Sequence, residues 1–444
     1  MGELFHKKRN LNSFQVIIFG FLGVILLGTF LLMLPLSSRD GTVTPFLDAL
    51  FTSTSAVCVT GLVLHDTATY WSFAGQLVIL LMIQIGGMGV VTVAASFAMI
   101  SGRKISLMQR STMQEAIAAP KVGGIVRLTS FIVKTTLLIE LLGAAVMAPV
   151  FYWDFGIRGL WMALFHSISA FCNAGFDLMG TKGAFSSLTS YAGQPVVNLT
   201  VILLIIVGGI GFLTWDDIRT NRLHLHKYRM QSKVILCTTT VLLILPAVYF
   251  FFCEFASLPM GQRILCSLFQ AVTPRTAGFN TVDMTSLSEP GQYITLALML
   301  IGGSPGSTAG GMKTTTAAVL FATAISTFYR KEHTHFFGRR IDDDVVKNAA
   351  TILLMYLVLF FTGGLAISIM EGLPMLTCLF ETASAVGTVG LSLGITQSLG
   401  ILSRLILILL MFFGRVGGLT LIFAALSGTR KKAARLPKEK ITVG

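Results

Sequence analysis

Four stretches of this chain are versions of one another, and their spacing limits the possible folds more than any other feature. They read Leu50-Phe-Thr-Ser-Thr-Ser-Ala-Val-Cys-Val-Thr-Gly61, Leu164-Phe-His-Ser-Ile-Ser-Ala-Phe-Cys-Asn-Ala-Gly175, Leu268-Phe-Gln-Ala-Val-Thr-Pro-Arg-Thr-Ala-Gly278 and Leu379-Phe-Glu-Thr-Ala-Ser-Ala-Val-Gly-Thr-Val-Gly390. Phe and Gly are ten residues apart in three copies and nine in the third, and the glycines recur 114, 103 and 112 residues apart. A repeat at that period means four copies of one supersecondary unit rather than four unrelated turns.

Each copy lies between apolar runs. Runs at about 14–36, 128–152, 232–255 and 345–370 precede the stretches, and runs at about 70–100, 196–215, 291–328 and 399–427 follow them. Between them, segments at 44–55, 159–170, 260–272 and 374–385 have helix-start signals such as Thr44-Pro45 and Leu373-Pro374. At roughly 12 residues these segments are too short to cross about 30 Å of hydrocarbon, so they are expected to enter the membrane and return. The predicted fold is an all-α integral membrane protein of four helix–pore-loop–helix repeats in pseudo-fourfold arrangement, with eight transmembrane helices and four pore helices. The repeats divide the chain at 1–110, 111–230, 231–340 and 341–444, the last with a basic tail.

Composition agrees with a membrane location. Of 444 residues 54% are hydrophobic and only 12% charged, about half the charge of a soluble protein. The first apolar run is long enough to span and has no cleavage signal after it, so no signal peptide is expected. The six cysteines have no metal or disulfide spacing and read as packing residues.

The net charge of +13 is sorted along the chain. Basic clusters fall at Lys7–Lys8–Arg9, Arg103–Lys104–Arg110, Arg219–Arg222–Lys227–Arg229–Lys233, Arg330–Lys331–Arg339–Arg340 and Arg430–Lys431–Lys432–Arg435, and the alternate loops are nearly bare. This positive-inside pattern predicts a multi-pass protein of the plasma membrane with both termini cytoplasmic, and it argues against nucleic acid as a partner. All four re-entrant loops then enter from outside.

Non-helical backbone at membrane depth survives only where protein or a water-filled path satisfies it. Four such loops around one axis would turn carbonyl oxygens inward and replace the water shell of a dehydrated cation. Small side chains let the backbone approach the ion, and glycine tolerates the dihedrals required. The short helices would aim the partial negative charge of their carboxyl ends at the centre. Without carboxylate rings, a monovalent cation is the expected ligand.

With Thr-Pro-Arg-Thr-Ala-Gly-Phe-Asn at 273–280, the four loops resemble the Trk/Ktr/HKT superfamily of potassium transporters over essentially the whole chain. The Ktr-type membrane subunit is the nearest match, because the first repeat begins almost at the N-terminus. The resemblance implies K+ uptake through a selectivity filter built by Val57, Cys58, Val59, Thr60 and Gly61; Phe171, Cys172, Asn173, Ala174 and Gly175; Thr273, Arg275, Thr276, Ala277 and Gly278; and Val386, Gly387, Thr388, Val389 and Gly390. K+ would be held by backbone carbonyls, and Gly61 implies preference for potassium over sodium. A homodimer, a separate cytosolic RCK-type nucleotide-binding ring, sodium activation and surrounding membrane lipid are implied as well.

Glycine clusters also interrupt the later spans, at Gly86-Gly87-Met-Gly89, Gly208-Gly209-Ile-Gly211, Gly302-Gly303-Ser-Pro305-Gly306 and Gly414-Arg415-Val-Gly417-Gly418. The third continues to Lys313 and cannot stay helical. By resemblance it is the intramembrane gate, 302–314, with Gly302, Gly303, Ser304, Pro305, Gly306, Ser307, Thr308, Gly310, Gly311 and Lys313, and with Arg415 beside it. Gly306–Thr314 faintly echoes a phosphate-binding loop, but Met312 breaks the Gly-Lys pair and no strand precedes it.

Lone charges complete the reading. Lys313 either raises a barrier in the gate or snorkels to the interface. Arg275 is expected to brace its loop, with Glu381 a candidate partner, and Lys134 and Glu140 to form a local polar pair or an interface contact. His224/His226 and His333/His335 read as solvated. An ion-coupled secondary cation symporter is the alternative. No enzyme is expected, because the spans contain no His-Glu-x-x-His or Gly-x-Ser-x-Gly.

Overall fold

The structure is a computed structural model that describes residues 12–101, 105–119, 121–222, 224–418 and 420. The basic clusters at 7–9, 103–104 and 430–435 lie outside the described residues.

Four long helices precede the four related stretches, one to each, and mark off four units of chain. They are α1 (Ser13–Met33), α6 (Ile125–Phe155), α10 (Met230–Tyr249, continued by a π turn Phe250–Glu254) and α14 (Asp343–Glu371). Each is apolar and long enough to cross a membrane. Each also turns large apolar side chains outward, among them Leu27 and Phe30, Leu138 and Leu141, Ile244 and Leu245, and Leu354 and Ile369. In lipid those side chains need no protein partner.

The short helices follow as α2 (Phe46–Val57), α7 (Ile157–Phe171), α11 (Met260–Val272) and α15 (Met375–Gly387). Pro45, Pro259 and Pro374 stand at the N-caps of α2, α11 and α15, where a missing N–H costs nothing. Gly156 takes that place in α7 at φ +61°, turning the chain sharply out of α6. The repeat phenylalanines Phe51, Phe165, Phe269 and Phe380 are all buried. They belong to one hydrophobic cluster that runs through all four units.

The second spans differ from the expectation of eight continuous helices. The first is α3 (Phe73–Met88) and α4 (Val90–Ile100), bent by 95°, and the second is α8 (Pro195–Gly209) and α9 (Phe212–Asn221), bent by 96°. The third is α12 (Glu289–Leu300) and α13 (Thr314–Phe328), parted by a loop, and the fourth is α16 (Ile401–Val416). Among the described residues four helices are long enough to span, or six if each bent pair counts as one. The reason is local: Gly89, Gly211 and Gly417 have φ of +86°, +93° and +86°, which ends the i→i−4 ladder. A linking helix, α5 (Leu107–Ile117), starts on a Ser106–Gln109 capping box. Among the described residues the all-α description is broken by a two-residue hairpin pairing His335 with Arg340 and Phe336 with Arg339.

Truncating a buried repeat phenylalanine leaves a void with no partner atoms. Phe165→Ala should destabilise the protein by ~3–5 kcal/mol, read as a lower melting temperature in detergent. Phe361→Ala, at an outward-facing position, should leave the melting temperature unchanged.

Candidate functional site

The four loops that follow the short helices share one backbone pattern. Two residues before each glycine φ is positive, at Val59 (59°), Asn173 (60°), Thr276 (65°) and Thr388 (52°). It is positive again at Gly61 (92°), Gly175 (69°), Gly278 (79°) and Gly390 (94°). Asn accepts the left-handed region readily, but β-branched Val and Thr adopt it only where the surroundings impose it.

What holds it is the Ser or Thr four residues after each repeat phenylalanine, through both its carbonyl and its hydroxyl. The Ser55 carbonyl accepts from the Thr60 amide at 2.8 Å, and its Oγ accepts from the Gly61 amide at 3.1 Å. Ser384 does the same for Val389 and Gly390, at 2.8 and 3.0 Å. Ser169 Oγ donates to the Phe176 carbonyl at 2.7 Å, and Thr273 Oγ1 donates to the Phe279 carbonyl. Among the expected site residues only Thr273 is one of these braces; Ser55, Ser169 and Ser384 were missed, although a Ser or Thr recurs in register in all four copies.

The four glycines meet in a closed cycle. A Cβ on Gly61 would strike the Ala174 carbonyl oxygen, one on Gly175 that of Ala277, one on Gly278 that of Val389, and one on Gly390 that of Thr60. Each unit's glycine thus packs against the next unit's loop, and the fourth closes on the first. The hydroxyls of Thr60 and Thr388 are buried beside this cycle without a hydrogen-bond partner among the described residues. Also among those residues, no group of three or more His, Cys, Asp or Glu could hold a metal ion.

The broken spans reach the same place from behind. A Cβ on Gly86 would strike the carbonyl of Val57, one on Gly208 that of Phe171, and one on Gly414 that of Val386. Each contacted residue stands four before its own unit's loop glycine.

The third unit supplies the loop 301–313 instead. It is held at its base by Gly302 N–H to Met312 O (2.8 Å) and Thr314 N–H to Gly303 O (3.0 Å). Its tip uses carbonyls that the other breaks leave free: Ser304 N–H donates to Gly209 O, Thr308 N–H to Gly208 O and Gly311 N–H to Gly414 O. Thr308 Oγ1 donates to the Phe171 carbonyl at 3.0 Å, so the loop touches the base of the second repeat loop directly. Arg415 donates to the carbonyls of Thr308, Gly86 and Gly87, joining this loop to the bend between α3 and α4.

Lone charges depart from the sequence reading. Lys313 does not snorkel: its Nζ donates back to Ala309 O at 2.9 Å and Gly310 O at 3.3 Å. Arg275 does not pair with Glu381. Its guanidinium reaches Thr239 Oγ1 at 3.3 Å, while Glu381 accepts from Ser392 and Thr396. The cause is distance along different units, since Glu381 braces its own loop's exit. Lys134 and Glu140 do not pair either, because six residues on a helix turn them to different faces. Lys134 is exposed, and Glu140 is buried, accepting from Gln84 Nε2 at 3.0 Å. The Cys172 thiol lies 3.8 Å from its other oxygen.

Two cavities flank the cycle. One, of about 310 Å³, is lined by all four glycines and by the residues just beyond them, including Asp66, Asp177 and Asp283. The other, of about 340 Å³, lies on the loop 301–313 side and is lined by Gly306, Met312, Lys313, Tyr356 and Arg415. In the first, Asp66 accepts from the Ala68, Thr69 and Phe185 amides, a clasp across two units. Burial pushes the Asp177 carboxyl up to about 7, the Met179 amide opposing the rise and the Asp66 carboxylate adding to it.

These features define a helical membrane-type protein whose centre is bare backbone rather than catalytic side chains. The family model described as TrkH, cation transport protein, matches residues 5–431, and the chain belongs to that family. It is 38% identical to the potassium/sodium uptake protein NtpJ of Enterococcus hirae, over 98% of each chain. It is 39% identical to the Ktr system potassium uptake protein B of Bacillus subtilis, over 97% of this chain and 96% of that one. The crystal structure of the potassium transporter TrkH from Vibrio parahaemolyticus has the same fold, with a TM-score of 0.73 at 19% identity, over 95% of this chain and 86% of that one.

A carboxyl ionised above about pH 7 makes the first cavity more negative as pH rises. Cation flux through reconstituted protein should therefore increase as the pH on this side goes from about 6 to about 8. Asp177→Asn should flatten that profile.

Proposed function

We propose that this chain takes up potassium ions across the plasma membrane, through an axis lined by the loops ending at Gly61, Gly175, Gly278 and Gly390. The observation that carries the reading is the closed cycle of the four glycines, with positive φ two residues before each. Four backbone segments meeting in that way can offer carbonyl oxygens to one dehydrated cation. Unpartnered buried hydroxyls at Thr60 and Thr388 suit the same ligand. The relatives named as potassium uptake proteins over nearly the full chain support potassium as the cargo.

In this reading the units 1–110, 111–230, 231–340 and 341–444 are quasi-equivalent quarters of one pore. The loop 302–314 is the gate, fastened below the filter by Thr308 and Arg415. Opening it requires trading those hydrogen bonds for water. Fixed charge on Arg415 repels cations while the loop is in place. The 310 Å³ cavity is the outer mouth, and an inside-negative potential drives entry by about 2.3 kcal/mol per 100 mV. Both termini are cytoplasmic, the subunit works as a homodimer, and a separate cytosolic nucleotide-binding ring of RCK type moves the gate, with sodium as an activator. Relatives named as proteins B and D of a Ktr system support a multi-component assembly.

Two outcomes test the reading. Gly61→Ser puts a side chain where the Ala174 carbonyl approaches, and should lower K+-over-Na+ selectivity in liposome flux by about tenfold, or roughly 1.4 kcal/mol of discrimination. Unchanged selectivity would remove the filter assignment. Deleting 304–311 should raise basal potassium flux, and a correctly inserted but inactive variant would remove the gate assignment.

A further inference from the structure

Away from the central cycle, one end of α6 carries a cluster of basic and aromatic side chains. Arg127, Phe131 and Lys134 are spaced i, i+4, i+7, which puts them on one face of the helix. Arg219 of α9 joins them across a groove, its guanidinium 4.7 Å from the centre of the Phe131 ring. Two adjoining cavities of about 700 and 420 Å³ share Arg127, Phe131 and Arg219 in their walls. The three cations are exposed, and among the described residues no carboxylate pairs with them. The acidic residue in the wall, Asp216, is engaged by Arg229 at 2.8 Å.

The depth of the site is informative. At 31 residues α6 is about 46 Å long, well beyond the ~30 Å of hydrocarbon. Trp153, 90% exposed at the far end, is an aromatic anchor for one interface. About twenty residues back along the helix from Trp153 is the opposite interface, at the level of Lys134. Directly beyond Lys134 toward the membrane centre, Leu138, Leu141 and Leu142 face outward. The surface is therefore cationic at headgroup level and apolar at acyl-chain level.

We infer that this groove is a binding site for an anionic glycerophospholipid, its phosphate held by Arg127, Lys134 and Arg219 and its acyl chain laid along the leucine stripe. Basic pockets between membrane helices recognise such headgroups by charge and shape. A soluble phosphate would have no use for the leucines, and an acidic face of a cytosolic protein would have to enter the membrane to reach Lys134. The site is independent of which ion the chain transports.

The test is lipid occupancy of the purified full chain by native mass spectrometry, titrated with phosphatidylglycerol, phosphatidylcholine or inorganic phosphate. Phosphatidylglycerol should bind about tenfold or more tightly than phosphatidylcholine, and inorganic phosphate should not displace it. Arg127→Gln/Lys134→Gln/Arg219→Gln should abolish the preference. Should that variant not fold, Lys134→Gln alone should weaken it about fivefold, and Lys134→Arg should retain it. Equal binding of the two lipids, or a preference unchanged in the triple variant and in Lys134→Gln, overturns the proposal. Displacement by inorganic phosphate overturns the lipid as ligand.

Discussion

An N–H or C=O at membrane depth has no water to fall back on, so every non-helical residue there must find a partner within the protein or line a wet path. The four repeat loops and the stretch 301–313 are non-helical segments buried among apolar helices, and much of the described structure is arranged around partnering them. Hydroxyls at Ser55, Ser169, Thr273 and Ser384 tie each repeat loop to the end of its own short helix. Broken helices then deliver more carbonyls, at Gly208, Gly209 and Gly414, and the loop 301–313 donates its amides to those same groups. The breaks and the loop account for each other.

The same constraint explains how charge is used. Arg415 and Lys313 act here chiefly as multi-donor hydrogen-bond groups, spreading their N–H groups over carbonyls rather than over carboxylates. A carboxylate would neutralise the Arg415 charge, and carbonyls leave its field intact. Arg275 follows the same logic, meeting a threonine hydroxyl where the sequence had suggested Glu381. Local strain is carried as well: each β-branched residue in the left-handed region costs on the order of 1–3 kcal/mol, and such positions persist only where their surroundings over-determine them. The brace on the following amides at Thr60 and Val389 is that surrounding structure for Val59 and Thr388.

Much of this was legible in the residues. Periodic recurrence identified the four loops and their glycines, apolar runs identified the opening helices, and Pro45 and Pro374 marked two short-helix starts within two residues. Legibility failed where a residue's role depends on a partner far along the chain. Glu140 read as a companion of Lys134, yet it packs behind Cys172 against Gln84 of another unit. The braces were visible as recurring Ser and Thr but carried no sign of which carbonyl or amide they would meet. The 95° and 96° bends were hidden because a glycine in an apolar run serves close packing as well as a break.

By itself the sequence determined that the chain is a helical membrane-type protein and that one short stretch recurs four times along it, because hydropathy and repetition act over a few residues at a time. The tertiary structure alone decided that the four glycines close a cycle, that the loop 301–313 is pinned beneath it, and that Arg415 joins three units. Those facts rest on contacts to backbone carbonyls about a hundred residues or more away along the chain, and a backbone carbonyl is the same group in every residue. No side-chain pattern can encode which carbonyl meets which amide until packing brings them together.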